Sequence, residues 1–137
     1  MNTVKLLEAI VGAEHVSSAE AYRALHAGDQ SSHHKVLPDF VVWPETTAQV
    51  SEIVKLAGER QLAITGWGAG SSLEGNSTPL RAGIVLDFGR MNQILHLYEN
   101  DFQVTVQPGI FYKDMNKRLA QSGLFFAPDP GANASIG

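Results

Sequence analysis

The sequence predicts an α+β fold that begins with a βαβ unit and continues as a mixed sheet with flanking helices. Three observations carry this expectation. Between Phe40 and Thr65 an apolar run, a striped helix and a second apolar run follow one another, which is the order of a parallel crossover. Around residues 94–107 two further β-type runs are separated only by a turn, which favours an antiparallel pair. Gly66, Gly68, Gly70 and Gly75 follow the second apolar run, at the carboxyl end of a strand, where open α/β sheets bind ligands.

From the N-terminus, Val4, Leu7, Ala9, Ile10 and Val11 fall near helical spacing within 3–11, and Ala21, Tyr22 and Leu25 repeat it within 18–27. Residues 28–38 are polar and rich in turn formers. Residues 1–35 therefore read as a helical preface with its connection, ahead of a main domain over 36–137. Phe40-Val41-Val42-Trp43 is a buried-type strand stopped by Pro44, which has no N–H for a ladder. Thr46 and Gln49 have capping-box spacing, and Val50, Ile53, Val54 and Ala57 stripe a helix up to about Arg60. A strand over 62–65 completes the crossover, so the two strands are expected to be parallel neighbours. Ile84-Val85-Leu86-Asp87 reads as the next strand, then Ile94 to Leu97 and Val104 to Gln107, joined through Asn100-Asp101. Pro108-Gly109 breaks the run, and Phe111, Met115 and Leu119 stripe a last helix ended by Gly123. Pro128-Asp129-Pro130-Gly131 is irregular and opens the final stretch, 132–137.

Composition narrows the function. A chain of 137 residues with 44% hydrophobic side chains is the size of one domain and can bury a core. It contains no cysteine, which removes disulfides, thiolate zinc sites and thiol catalysis. Ten basic against fourteen acidic side chains, with no basic cluster, argue against a nucleic-acid partner. No stretch approaches the roughly 18 apolar residues of a membrane span, and the N-terminus lacks a signal-peptide pattern, so a cytoplasmic location is expected.

The glycine loop is the candidate site. Such a run spends conformational entropy, which is recovered where bare backbone must approach something closely, and successive N–H groups in a turn form a concavity that holds an anion. A phosphate is the best candidate, although a plain surface turn also fits. Residues 61–80 carry no Lys or Arg at all, so the grip would be backbone. Three familiar motifs fail here. Neither Gly66 nor Gly68 starts a full G-x-G-x-x-G; Asn76 replaces the lysine of a Walker loop; Glu74 stands where a nucleophile elbow at Ser72 needs glycine. Elsewhere, His33-His34 reads as solvated loop without a third metal ligand, Asp87 as a strand-end residue and Asp101 as a turn residue. Trp67 is equally suited to shielding a ligand from water and to packing.

Three segments in order resemble the FAD-linked oxidases of the vanillyl-alcohol oxidase and p-cresol methylhydroxylase type. They are Val41-Val42-Trp43-Pro44-Glu45-Thr46-Thr47, Gly66-Trp67-Gly68-Ala69-Gly70-Ser71-Ser72-Leu73-Glu74-Gly75 and Pro128-Asp129-Pro130-Gly131-Ala132-Asn133-Ala134-Ser135-Ile136-Gly137. Leu86-Asp87-Phe88-Gly89-Arg90-Met91-Asn92 and Val106-Gln107-Pro108-Gly109 resemble the branch that holds the glycolate oxidase catalytic subunit and D-lactate dehydrogenases.

The resemblance implies the first of two α+β subdomains that hold FAD between them, in a domain of the p-cresol methylhydroxylase type. The pattern is interrupted at Gly137, so the second subdomain, the substrate domain and the catalytic residues are expected beyond it. Residue by residue, Gly66, Trp67, Gly68, Ala69, Gly70, Ser71 and Ser72 would meet the FAD pyrophosphate, and Asp129, Gly131, Ser135, Ile136 and Gly137 would line the flavin side. The loop has no histidine where some relatives attach FAD, which implies a noncovalent cofactor. The implied reaction of the parent protein is oxidation of a small 2-hydroxy acid to a 2-oxo acid, this chain being inactive alone and inclined to self-associate or pair with a partner subunit. The alternative from another class is a non-redox nucleotide- or phosphate-binding or interaction module that pairs with a second polypeptide.

Overall fold

The computed structural model describes residues 2–137, and its first element is helix α1 (Thr3–Val11). The Asn2 side chain caps it by accepting the Val4 N–H at 3.2 Å, and Leu7 and Val11, one turn apart, are its buried residues. A two-residue strand β1 (Val16–Ser17) precedes α2 (Glu20–Leu25), which is shorter than the expected 18–27. It stops at His26, whose ring Nδ1 donates to the Tyr22 carbonyl oxygen at 2.8 Å and satisfies a helix-end acceptor from a side chain.

Strands β2 (Phe40–Val42), β3 (Ile64–Trp67) and β4 (Ile84–Asp87) are mutually parallel, with α3 (Thr47–Arg60) crossing from β2 to β3. The sheet order is β1-β2-β4-β3, with β1 antiparallel to β2. The crossover therefore has the expected direction, but β2 and β3 are not neighbours. Strand β4 lies between them because Ile84, Val85 and Leu86 are apolar on both faces and all at most 2% exposed, which suits an interior strand. Strand β3 alternates between exposed and half-buried positions, which suits an edge.

The two ends of α3 explain where the flanking strands stop and start. Thr46 accepts the Gln49 N–H at 3.2 Å, while the Gln49 side chain reaches back to the Glu45 N–H at 2.7 Å, a capping box closed one residue early. At the other end Gln61 turns left-handed at φ +53, and Leu62 donates to the Ala57 carbonyl at 2.9 Å. That closure uses Leu62, so β3 begins at Ile64. Leu7 and Val11 of α1 and Ile53, Leu56 and Ala57 of α3 then cover Val42, Ile84 and Leu86 of the sheet. Truncating Ile53, which is fully buried, to Ala should cost about 2–5 kcal/mol.

A second core lies beyond this sheet. Strands β5 (Ile94–Tyr98) and β6 (Gln103–Val106) form the expected antiparallel pair, with a register shift between Ile94 and His96. Helix α4 (Tyr112–Leu119) packs Met115 and Leu119, with Ile110, against Ile94, Leu97, Val104 and Val106. Gly123, at φ +69, ends the helical run as expected. No helix among the described residues is long and apolar enough to cross a membrane.

Candidate functional site

Strand β3 carries the chain through Gly66 and Trp67, so these two residues are strand and the irregular loop starts at Gly68. Gly70 is left-handed at φ +62 with the Trp67 ring against it, so a side chain there meets both backbone strain and the ring, 2.9 Å from Cη2. Among the described residues the amides of Gly68, Ala69, Gly70, Ser71 and Ser72 donate no hydrogen bond. Five consecutive donors without acceptors are costly unless something polar meets them, and they are what an anion-binding nest requires.

These residues line a cavity of about 320 Å³ at the carboxyl ends of β3 and β4. Gly66, Trp67, Gly68, Ala69, Gly70, Ser71 and Ser72 form one side, and Ser135 and Gly137 approach from the other. The C-terminal segment reaches this place by pairing with residues 108–112: Tyr112 donates to the Ala134 carbonyl at 3.0 Å, Ile136 to Ile110 at 3.0 Å and Gly137 to Pro108 at 2.8 Å. It passes so close to Gly68 that a β-carbon there would collide with the Ser135 hydroxyl and lie 2.7 Å from the Gly137 carbonyl oxygen. The bare backbone at Gly68 is thus used first against the chain itself.

Asp129 and Ile136 do not line this cavity. They border an adjoining depression of about 290 Å³ with Tyr112, Phe126 and Pro128, and Ser135 lines both. Gly131 lines neither, but donates to the Asp129 carboxylate at 3.0 Å. The Gly131 amide, and then the Tyr112 hydroxyl at 2.9 Å, hold the Asp129 carboxyl below its ordinary range. Sequence reasoning missed Tyr112, Asn76, Ser77 and Phe88, the last three of which line the glycine cavity. Phe88 was findable, since it follows the carboxyl end of the next strand in the same parallel sheet.

No charged side chain lines the glycine cavity. Behind it, Asp87 is more than a strand-end residue. Its Oδ2 accepts from Trp43 Nε1 and from His26 Nε2, both at 2.9 Å, and its Oδ1 accepts the Gly89 amide at 2.8 Å. Burial lowers the His26 pKa, but the hydrogen bond to Asp87, the Tyr22 carbonyl and the Asp87 charge outweigh it, so the net shift is upward. The His26 ring also packs on Trp67, centroids 4.8 Å apart, so Trp67 has a packing partner as well as a place in the cavity wall. His33 and His34 join no group of three potential metal ligands among the described residues.

The FAD binding domain family matches residues 38–137. The chain is 38% identical over 133 residues to "Probable D-lactate dehydrogenase, mitochondrial" of Danio rerio, a match that covers 97% of this chain and 27% of that protein. It is 34% identical over 123 residues to glycolate oxidase subunit GlcD of Bacillus subtilis (strain 168), covering 90% of this chain and 26% of that one. The chain thus spans about a quarter of the length of these curated relatives. Among solved structures it superposes on alkyldihydroxyacetonephosphate synthase with a TM-score of 0.87 at 25% identity, covering 98% of this chain and 30% of that one. For p-cresol methylhydroxylase with substrate bound the TM-score is 0.77 at 22% identity, over 88% of this chain and 24% of that one. A family match over most of the chain and relatives above 30% identity converge, with a fold shared with p-cresol methylhydroxylase: this chain belongs to the FAD binding domain family.

Proposed function

We propose that this chain supplies the pyrophosphate-holding wall of a noncovalent FAD site in a flavoprotein that oxidises a small 2-hydroxy acid, of the glycolate or D-lactate type, to the 2-oxo acid. The observation that carries the reading is the run of five unpartnered amides from Gly68 to Ser72, lining a cavity without charged side chains. That donor set suits a pyrophosphate, whose oxygens accept from several N–H groups at once. The substrate class is supported by the names of the two curated relatives.

Each residue has a role in this reading. The Gly68 to Ser72 amides receive the pyrophosphate oxygens. The Ser71 hydroxyl has no partner among the described residues and is the one that donates to the ligand, while the Ser72 hydroxyl accepts from the Glu74 amide at 3.2 Å and gives its proton to Asp29. Phe88 and Trp67 keep water from one side of the ligand. Because Ser135 borders both depressions, an extended dinucleotide passes from the loop toward Asp129 and Ile136. Noncovalent attachment is supported by the loop's own residues, since Gly66 to Ser72 contains no His, Cys or Tyr. When bound, FAD supplies the acceptor for the hydride that the hydroxy acid gives up. This chain's residues bind and orient, and none is assigned a catalytic role.

The test is calorimetric titration of the purified chain with FAD, ADP and inorganic pyrophosphate. All three should bind, FAD weakly, because this chain presents only one wall to the nucleotide. Absence of binding by all three, or equal binding by a Gly70→Val variant, overturns the reading.

A further inference from the structure

The glycine loop is gripped by residues that precede the family match. That match starts at residue 38, yet Asp29, Gln30 and His33 all reach the loop. Gln30 donates its amide to the Ser72 carbonyl at 3.0 Å. Asp29 accepts the Ser77 amide on Oδ2 at 3.3 Å and the Thr78 hydroxyl on Oδ1 at 3.3 Å. Two consecutive residues therefore hold the outgoing limb at Ser72 and the returning limb at Ser77 and Thr78, and close the turn between them. The His33 ring covers Gly75, which is left-handed at φ +85.

The geometry points to Asp29 as a positioning residue: with the Gln30 amide beside it, its carboxylate orders the glycine loop, so that the Gly68 to Ser72 amides converge before a phosphate-bearing ligand arrives. This rests on the cofactor reading above. A loop closed in advance does not pay its ordering entropy on binding, so bracing raises affinity without touching the ligand. Asp29 itself is 8% exposed. Burial raises its pKa, but the hydrogen bonds it accepts from Ser31, the Ser77 amide and Ser72 outweigh this and hold it at about 2, so the brace is a carboxylate at neutral pH. Asparagine at 29 keeps the size but turns one acceptor into a donor. It then faces either the Ser77 N–H or the Ser31 N–H and Thr78 hydroxyl with a second donor.

The experiment compares the wild-type chain with Asp29→Asn and Thr78→Val. Amide hydrogen exchange is measured without ligand, and FAD and inorganic pyrophosphate are titrated into each protein. In Asp29→Asn the hydrogen-bonded amides of Gln30, Ser77 and Thr78 should exchange about tenfold faster while those of Val41 and Val85 stay as in wild type, and both ligands should bind about tenfold more weakly. Thr78→Val, which removes one donor to the carboxylate, should act in the same direction by less. Uniformly faster exchange across the core would make Asp29 a general stability residue and overturn the proposal. So would wild-type loop exchange and wild-type affinity in Asp29→Asn. A wild-type chain that binds neither ligand defeats the cofactor reading and the ligand role of Asp29 with it, whereas equal binding by wild type and Asp29→Asn defeats only the brace. If Asp29→Asn does not fold, Thr78→Val decides by the same criteria.

Discussion

The two glycine-bearing stretches, residues 66–77 and 128–137, resemble the same family motif set but are built differently. The first is a closed loop held from three sides: His26 packs on Trp67, Gln30 holds Ser72, and Asp29 holds Ser77 and Thr78. The second is an extended tail paired with residues 108–112, and Gly131 at φ +81 has nothing within 4 Å of the position a β-carbon would take. Glycine therefore does unlike work in the two places. In the loop it allows close packing and leaves amides facing a cavity. At Gly131 it only permits a turn.

The largest difference should appear at the paired glycines. Gly70→Val meets a left-handed backbone and the Trp67 ring together and should cost about 3 kcal/mol, read by denaturant unfolding, and abolish pyrophosphate binding. Gly131→Ala meets only the backbone preference and should cost about 1 kcal/mol, with pyrophosphate affinity unchanged. Comparable losses in the two variants would mean that the loop is no more constrained than the tail. A smaller effect is expected for Tyr112→Phe. It removes the hydroxyl that donates to Asp129 and should shift the NMR resonances of 129–131 while leaving those of 68–72 in place.

Titration should separate the stretches further. The Asp29 pKa lies at about 2 against an ordinary 3.8, so its contribution to stability is complete above pH 4 or so and is lost as pH falls through about 2. The His26 pKa is raised above 6.5, so its contribution is complete below that value and is lost as pH rises through the folded pKa. Asp129 is also held low, and its contribution goes the way of Asp29 in acid. Residue-resolved NMR shifts should therefore show the loop loosening at both extremes. The tail should respond in acid but not between neutrality and the tyrosine range. A tail that moves with His26 would couple the two stretches. The smallest effect belongs to salt. Raising ionic strength from about 0.15 M to 1 M shortens the Debye length from about 8 to 3 Å, yet FAD affinity should change by less than tenfold because no charged side chain lines the cavity.

Much of the fold is legible in the sequence. The stripes of α1, α3 and α4 and the β-hairpin at 94–106 appear near their expected places, because a single buried face imposes its period on the residues that line it. The glycine loop was findable because four glycines after a strand are hard to explain otherwise. What stayed hidden has identifiable causes. Strand β1 has two residues, too few for a pattern. The brace at Asp29 and Gln30 lies some 40 residues from the loop it holds, in a stretch whose polar composition also reads as a plain connection. Asp87 gathers Trp43, His26 and Gly89 from three parts of the chain, and none of those bonds has a spacing signature.

By itself the sequence determined the longer helices and strands and where bare backbone is required, since both follow from local periodicity and local sterics. Only the tertiary structure decided that β4 separates β2 from β3, that the tail closes the far side of the glycine cavity through Ser135 and Gly137, and that Asp129 and Ile136 fall in the next depression. Those outcomes depend on which distant surfaces bury each other. Burial is a property of pairs of segments, and no single segment records its partner.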